Sequence, residues 1–77
     1  MGNFRPIDTD CWEKFLKSKG FQQKRISSSH FNWTKPHNRT IPVWGNEKQI
    51  PAFHLSRGCK TIGCSMTDLY KWVDENC

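Results

Sequence analysis

The run His30-Phe31-Asn32-Trp33-Thr34 alternates polar and aromatic residues at every step. Strand side chains alternate faces, so turning Phe31 and Trp33 into a core leaves His30, Asn32 and Thr34 together on an accessible face. Two further runs flank this one. Phe21 to Ser27 reads as a strand of weak propensity, rich in Gln, Lys and Arg; Arg39 to Trp44 alternates Ile41 and Val43 with Thr40, Pro42 and Trp44. Pro36-His37-Asn38 supplies turn chemistry between the second and third runs. Pro42 has no amide hydrogen and argues for an edge strand or a gap in pairing. Short connections between the three runs predict an antiparallel meander.

Helical spacing appears on both sides of the meander. Thr9 or Asp10 caps a first helix, with Glu13 three residues after Asp10 as in a capping box. Cys11, Trp12, Phe15 and Leu16 form its apolar stripe, Glu13, Lys14, Lys17 and Lys19 take the wet side, and Gly20 ends it as a left-handed cap. After a loop from Gly45 to Pro51, Phe53, Leu55, Cys59 and Ile62 are expected to line one side of a second helix that ends at Gly63. Gly58 costs that helix roughly 1 kcal/mol relative to alanine, which predicts an irregular middle. Ser65 and Asp68 repeat the capping-box spacing ahead of a short helix over about 65–75, with Met66, Leu69, Tyr70 and Val73 as its stripe. The order is helix, three strands and two short helices, an α+β class in one domain over 1–77 with its core at about 8–63.

With 77 residues the chain has room for one small core and no large internal cavity, so chemistry is expected on an open surface or a shallow groove. Twelve Lys plus Arg against seven Asp plus Glu leave a formal charge of +5, which draws RNA, DNA or an acidic protein partner. The opening residues Met1-Gly2-Asn3-Phe4-Arg5-Pro6 lack the apolar core of a secretory signal, and no segment is apolar for long enough to span a bilayer. A cytoplasmic address with no membrane partner is the expectation. On that basis Cys11, Cys59, Cys64 and Cys77 are read as reduced thiols, with a disulfide framework as the alternative.

His30 is the candidate catalytic group, because an imidazole takes and gives protons near neutral pH. RNA carries its own nucleophile, the 2′-hydroxyl; a base to remove that proton and cations to stabilise the attacked phosphate meet the needs of cleavage, and no cofactor or metal ligand set is required. Lys24, Arg25, Lys35 and Arg39 are the candidate cations, with Ser29 and Lys48 as further RNA contacts. Trp44 has the strand parity of Thr40 and Pro42, which places it on the face of His30, where an indole stacks a base. Its plain alternative is closing the edge of the core. His30 likewise has one, a strand-start histidine bonded to neighbouring serines. His37 in the turn and His54 at a helix start read as solvated or capping residues. Lys14, Lys17 and Lys19 with Lys24 and Arg25 form either a phosphate-tracking band or a solvated face. Cys59, Cys64 and Cys77 with His54 match no familiar zinc spacing.

Trp12-Glu13-Lys14-Phe15-Leu16-Lys17-Ser18-Lys19-Gly20-Phe21, followed by Arg25, Ser29-His30, Arg39, Ile41-Pro42, Leu55 and Ile62-Gly63, resembles the HicA family, the YcfA-like toxins of bacterial toxin–antitoxin pairs. The similarity runs from the first helix to Gly63. It implies a double-stranded-RNA-binding-domain-like fold, with helices on one face of a three-stranded antiparallel sheet, and an mRNA interferase activity that arrests growth. It also implies a HicB-like antitoxin partner and a catalytic histidine in a Gly-Ser-His motif opening the second strand. Ser29 and His30 match the last two positions of that motif, so the role falls to His30. Ser28 stands in place of the motif's glycine, and Trp44 in place of a histidine often found after the third-strand proline. Two other readings stay open: a non-catalytic RNA-binding module of the same fold, and a small domain that binds an acidic protein.

Overall fold

A computed structural model describes residues 5–25, 30–44 and 47–77; Ser27, Ser28, Ser29 and Gly45 lie outside the described residues, as does the side chain of Arg25. The elements in order are β1 (Ile7–Asp8), α1 (Thr9–Ser18), β2 (Gln22–Arg25), β3 (His30–Thr34), β4 (Ile41–Trp44), β5 (Gln49–Ile50), α2 (Ala52–Ile62) and α3 (Met66–Asn76). Strands β2, β3 and β4 form the antiparallel meander in that order, with Lys24 opposite Asn32, His30 opposite Trp44 and Trp33 opposite Ile41. This register separates the faces by chemistry. Trp33, Ile41 and Val43 are buried on the inner face, whereas Lys24, His30 and Pro42 are exposed on the outer one. Pro42 sits in an edge strand, where a missing amide is tolerated.

One core joins all the layers. Trp12, Phe15 and Leu16 of α1, Leu55 and Cys59 of α2 and Leu69 of α3 meet the inner face of the sheet in a single buried cluster. Trp12 stacks on Phe15 at 5.7 Å between centroids, and Trp72 meets Phe15 edge-on at 5.4 Å. The fold is therefore α+β, with a three-stranded antiparallel sheet and three helices. A two-strand ribbon, β1 with β5, was not expected, because two residues carry no readable period. It pairs Ile7 with Ile50 and Asp8 with Gln49. Beside it the buried Thr9 donates its amide to the Lys48 carbonyl at 2.9 Å and its hydroxyl to the Glu47 carbonyl at 2.6 Å. Both bonds hold the segment that leads into α2.

The start of α1 differs from the sequence expectation. Asp8 is the capping position, without a side-chain bond, and Thr9 and Asp10 are already helical. Glu13 does not reach back to the helix start; its carboxylate accepts from Trp33 Nε1 at 3.2 Å and from Gln23 Nε2 at 3.1 Å. A buried indole needs an acceptor, and that tertiary demand wins over the local box. Elsewhere the local signals hold. Gly20 and Gly63 both have φ near +91°, where a side chain would be strained, and Ser65 with Asp68 forms a reciprocal capping box for α3.

Two expectations for α2 are corrected. Its middle is regular, because Gly58 is the point of closest approach to α1: a Cβ there would lie 2.5 Å from Trp12 Cζ2. Phe53 does not share the buried side with Leu55; it is 62% exposed. Residues two apart on a helix point in nearly opposite directions, so only one of the pair can face the core.

The cysteines are also reassigned. Cys11 in α1 and Cys77, the residue after α3, form a disulfide across a sequence separation of 66, with Cα atoms 6.3 Å apart. The packing of α3 against α1 brings the two together, a proximity that spacing along the chain does not reveal. Cys59 and Cys64 remain thiols; Cys59 is buried and Cys64 half-buried. Burial first, and then the neighbouring Cys64, pushes the Cys59 thiol up to about 12. No helix among the described residues is long and apolar enough to cross a membrane.

Candidate nucleic-acid interface

His30 opens β3 on the outer face of the sheet, exposed. Its cross-strand partner is Trp44 at the end of β4, and the two rings meet edge to face with centroids 5.5 Å apart. No described residue hydrogen-bonds the imidazole. Lys24 shares this face. It stands opposite Asn32, and the diagonal from there to His30 spans roughly 7–8 Å in an antiparallel pair. An exposed imidazole, an indole edge and an ammonium thus share one open sheet surface.

Trp44 also turns toward α2. Its ring lies 5.5 Å from that of His54, which in turn lies 4.2 Å from the exposed ring of Phe53. His30, Trp44, His54 and Phe53 therefore make a continuous row of flat side chains from the sheet onto the first turn of α2. Below this row, between β4 and α2, runs a groove of about 780 Å³. Trp12, Ile41, Ile50 and Gly58 contribute apolar walls, while Arg39, Arg57 and Lys60 carry positive charge and Glu47 the one negative charge. Arg39, Arg57 and Lys60 form no ion pair with a described residue. The far end of the groove is held by Asn38, whose side-chain amide donates to the Thr61 carbonyl at 3.1 Å.

The candidate cations read from the sequence scatter. Lys24 lies on the His30 face and Arg39 at the groove. Lys35 is at the opposite end of β3, where its ammonium donates to the Lys19 carbonyl at 2.9 Å and lies over the Phe21 ring at 5.9 Å; it is not brought to His30. Lys48 is exposed ahead of β5, where its carbonyl is tied to Thr9, and it does not line the groove. The backbone of Arg25 pairs with Phe31, and Ser29 lies outside the described residues. Lys14, Lys17 and Lys19 stay on the exposed side of α1. His37 sits in the β3–β4 turn with φ of 68°, exposed and apart from the site.

The groove side of α2 was missed by sequence reasoning. His54, Arg57, Gly58 and Thr61 stand at positions i, i+3, i+4 and i+7, one stripe of the helix, and all four line the groove. The signal was present as a stripe flanking Leu55, Cys59 and Ile62, polar except at Gly58, but a polar stripe ordinarily faces water. Only the placement of α2 beside β4 turns it into a wall. Among the described residues no group of three or more His, Cys, Asp and Glu side chains is placed to hold a metal ion.

In comparison with known proteins, no family model matches the chain, and neither a curated protein nor a solved structure does.

Proposed function

We propose that the outer sheet face binds RNA and that His30 promotes its cleavage, making the protein an endoribonuclease toxin of the HicA type that acts on mRNA and is neutralised by a HicB-like antitoxin. The observation that carries this reading is the exposure of His30 beside Trp44, on a face it shares with Lys24. In the step we envisage, the imidazole takes the proton of a ribose 2′-hydroxyl, and the oxygen attacks the adjoining phosphorus. The bond to the 5′-oxygen breaks, and that oxygen takes a proton from imidazolium or water. The products are a 2′,3′-cyclic phosphate and a 5′-hydroxyl end. Lys24 offsets charge on the phosphate, while Trp44 offers a surface for the flanking base. One imidazole makes for slow turnover, which suffices for a growth inhibitor. An acidic antitoxin surface covering His30 and the cations complements both shape and charge.

The test incubates wild-type and His30→Ala protein with RNA in EDTA and follows growth arrest in parallel. Cleavage and arrest by the wild type alone, with identical circular dichroism, supports the reading. Equal activity of the variant removes His30 from the mechanism. RNA recovered intact yet bound in a salt-sensitive manner points to a binding module without catalysis, a role the His30–Trp44 aromatic pair also suits.

A further inference from the structure

The RNA reading engages the sheet face and leaves the β4–α2 groove without a role. We infer that this groove is a subsite for single-stranded RNA: it receives the segment of strand adjoining the nucleotide at His30, with a base against Trp44 and His54 and phosphates against Arg57 and Lys60. The inference rests on the RNA reading of His30 and extends it to residues on another element.

Three independent features of the groove converge on such an occupant. Trp44 is shared between the two surfaces, in edge contact with His30 and in a tilted contact with His54, so a strand at the imidazole can continue onto the groove wall. The charge balance is uneven, with Arg39, Arg57 and Lys60 against Glu47, and none of the three cations is neutralised by a described neighbour. A polyanion supplies what they lack. The third feature is shape. At about 780 Å³ the groove falls within the roughly 300–1,000 Å³ typical of ligand sites, and it is neither a closed cavity nor a flat surface.

The way the groove is built supports the same conclusion. Gly58 lets α2 lie against Trp12, with no room for a Cβ, so the stripe carrying His54, Arg57 and Thr61 is set on a firm base. Asn38 ties the β3–β4 turn to the end of α2, and Thr9 holds the segment at Glu47 and Lys48 that precedes it. Both walls are thereby fixed before any ligand arrives, which lowers the ordering cost of binding. Aromatic surfaces interleaved with cations, without a tight pocket for one base, suit a single strand of loose sequence preference. An acidic protein segment would satisfy the charge but would leave the flat Trp44–His54–Phe53 row without stacking partners.

The experiment uses His30→Ala protein, which keeps its RNA intact, and compares it with His30→Ala carrying Arg57→Gln and Lys60→Gln. A fluorescent twelve-nucleotide single-stranded RNA is titrated with each from 50 to 200 mM salt, with a poly-glutamate peptide as competitor. Arg57 and Lys60 are exposed and form no ion pair with a described residue, so matching thermal melts are expected. The expected result is an affinity roughly 10-fold lower at 100 mM salt and a log–log salt slope shallower by about 0.7 for each phosphate no longer neutralised. Unchanged affinity and slope, while the wild type still cleaves RNA through His30, would overturn the groove inference and leave the sheet-face reading standing. Binding that follows Arg57 and Lys60 for poly-glutamate but not for RNA would overturn it in favour of an acidic protein ligand. Absence of RNA binding by the His30→Ala parent, together with absence of cleavage by the wild type, would remove the reading on which the inference rests.

Discussion

The two faces of one small sheet carry the same kinds of residue to opposite ends. On the inner face Trp33 is buried, and its indole nitrogen is satisfied by Glu13; on the outer face Trp44 is half-exposed and touches the imidazoles of His30 and His54. Both tryptophans are strand residues of odd and even parity in a meander only three strands wide. What separates them is which side the helices cover. An indole under α1 contributes packing and a hydrogen bond to stability, while one at the open edge keeps a flat surface available to a ligand.

The sharpest way to break this comparison is to truncate both. Trp33→Ala is expected to cost about 3–5 kcal/mol, since it opens a cavity and also strips Glu13 of its indole donor; urea denaturation measures it. Trp44→Ala should cost distinctly less stability and instead weaken RNA binding by roughly 1–3 kcal/mol in a titration. Equal stability losses would mean that Trp44 belongs to the core and that the outer face is no separate surface.

Smaller effects sharpen the picture of the inner side. Reducing Cys11–Cys77, or replacing both residues by serine, is expected to lower stability by about 2–4 kcal/mol through release of the unfolded chain. A melt with and without reductant checks this, and an unchanged midpoint would show that α3 holds to α1 by packing alone. Gly58→Ala should destabilise by roughly 1–3 kcal/mol although alanine is the better helix former, because its Cβ meets Trp12. A more stable variant would show that α2 can retreat from α1 at no cost.

The last expected effect is alkaline and lies outside the neutral range. Cys59 has a folded value of about 12 against an ordinary 9.0, so the folded protein holds this proton longer than the unfolded chain does. Stability from this group is therefore full below pH 9 and is lost as pH rises from there toward 12. Comparing wild type with Cys59→Ala across that window isolates the slope, which the variant should lack. At a pH of about 8, alkylation should reach half-buried Cys64 well before buried Cys59.

Much of the inner face was legible because burial imposes a period. The alternation of β3 sent Trp33 inward and His30 outward, the helical spacing of Trp12, Phe15 and Leu16 marked the core side of α1, and Ser65 with Asp68 announced the start of α3. That Trp44 shares the face of His30 followed from parity, whereas the meeting of the two rings required the register. The polar groove was illegible for the matching reason. His54, Arg57 and Thr61 look like any solvated stripe until α2 is laid beside β4, and Phe53 looked buried only because it is apolar.

The chain by itself determined an α+β domain with a three-strand meander, its inward and outward residues, and the helix boundaries set by Gly20, Gly63 and the α3 capping box. Those depend on neighbours within a few positions, where periodicity and backbone preference act. Tertiary structure alone decided the Cys11–Cys77 bond, the turn of Glu13 toward Trp33, the β1–β5 ribbon and the groove that gathers Arg39 with Arg57. Each joins residues far apart in sequence, and only the packing of whole elements against one core determines which of them meet.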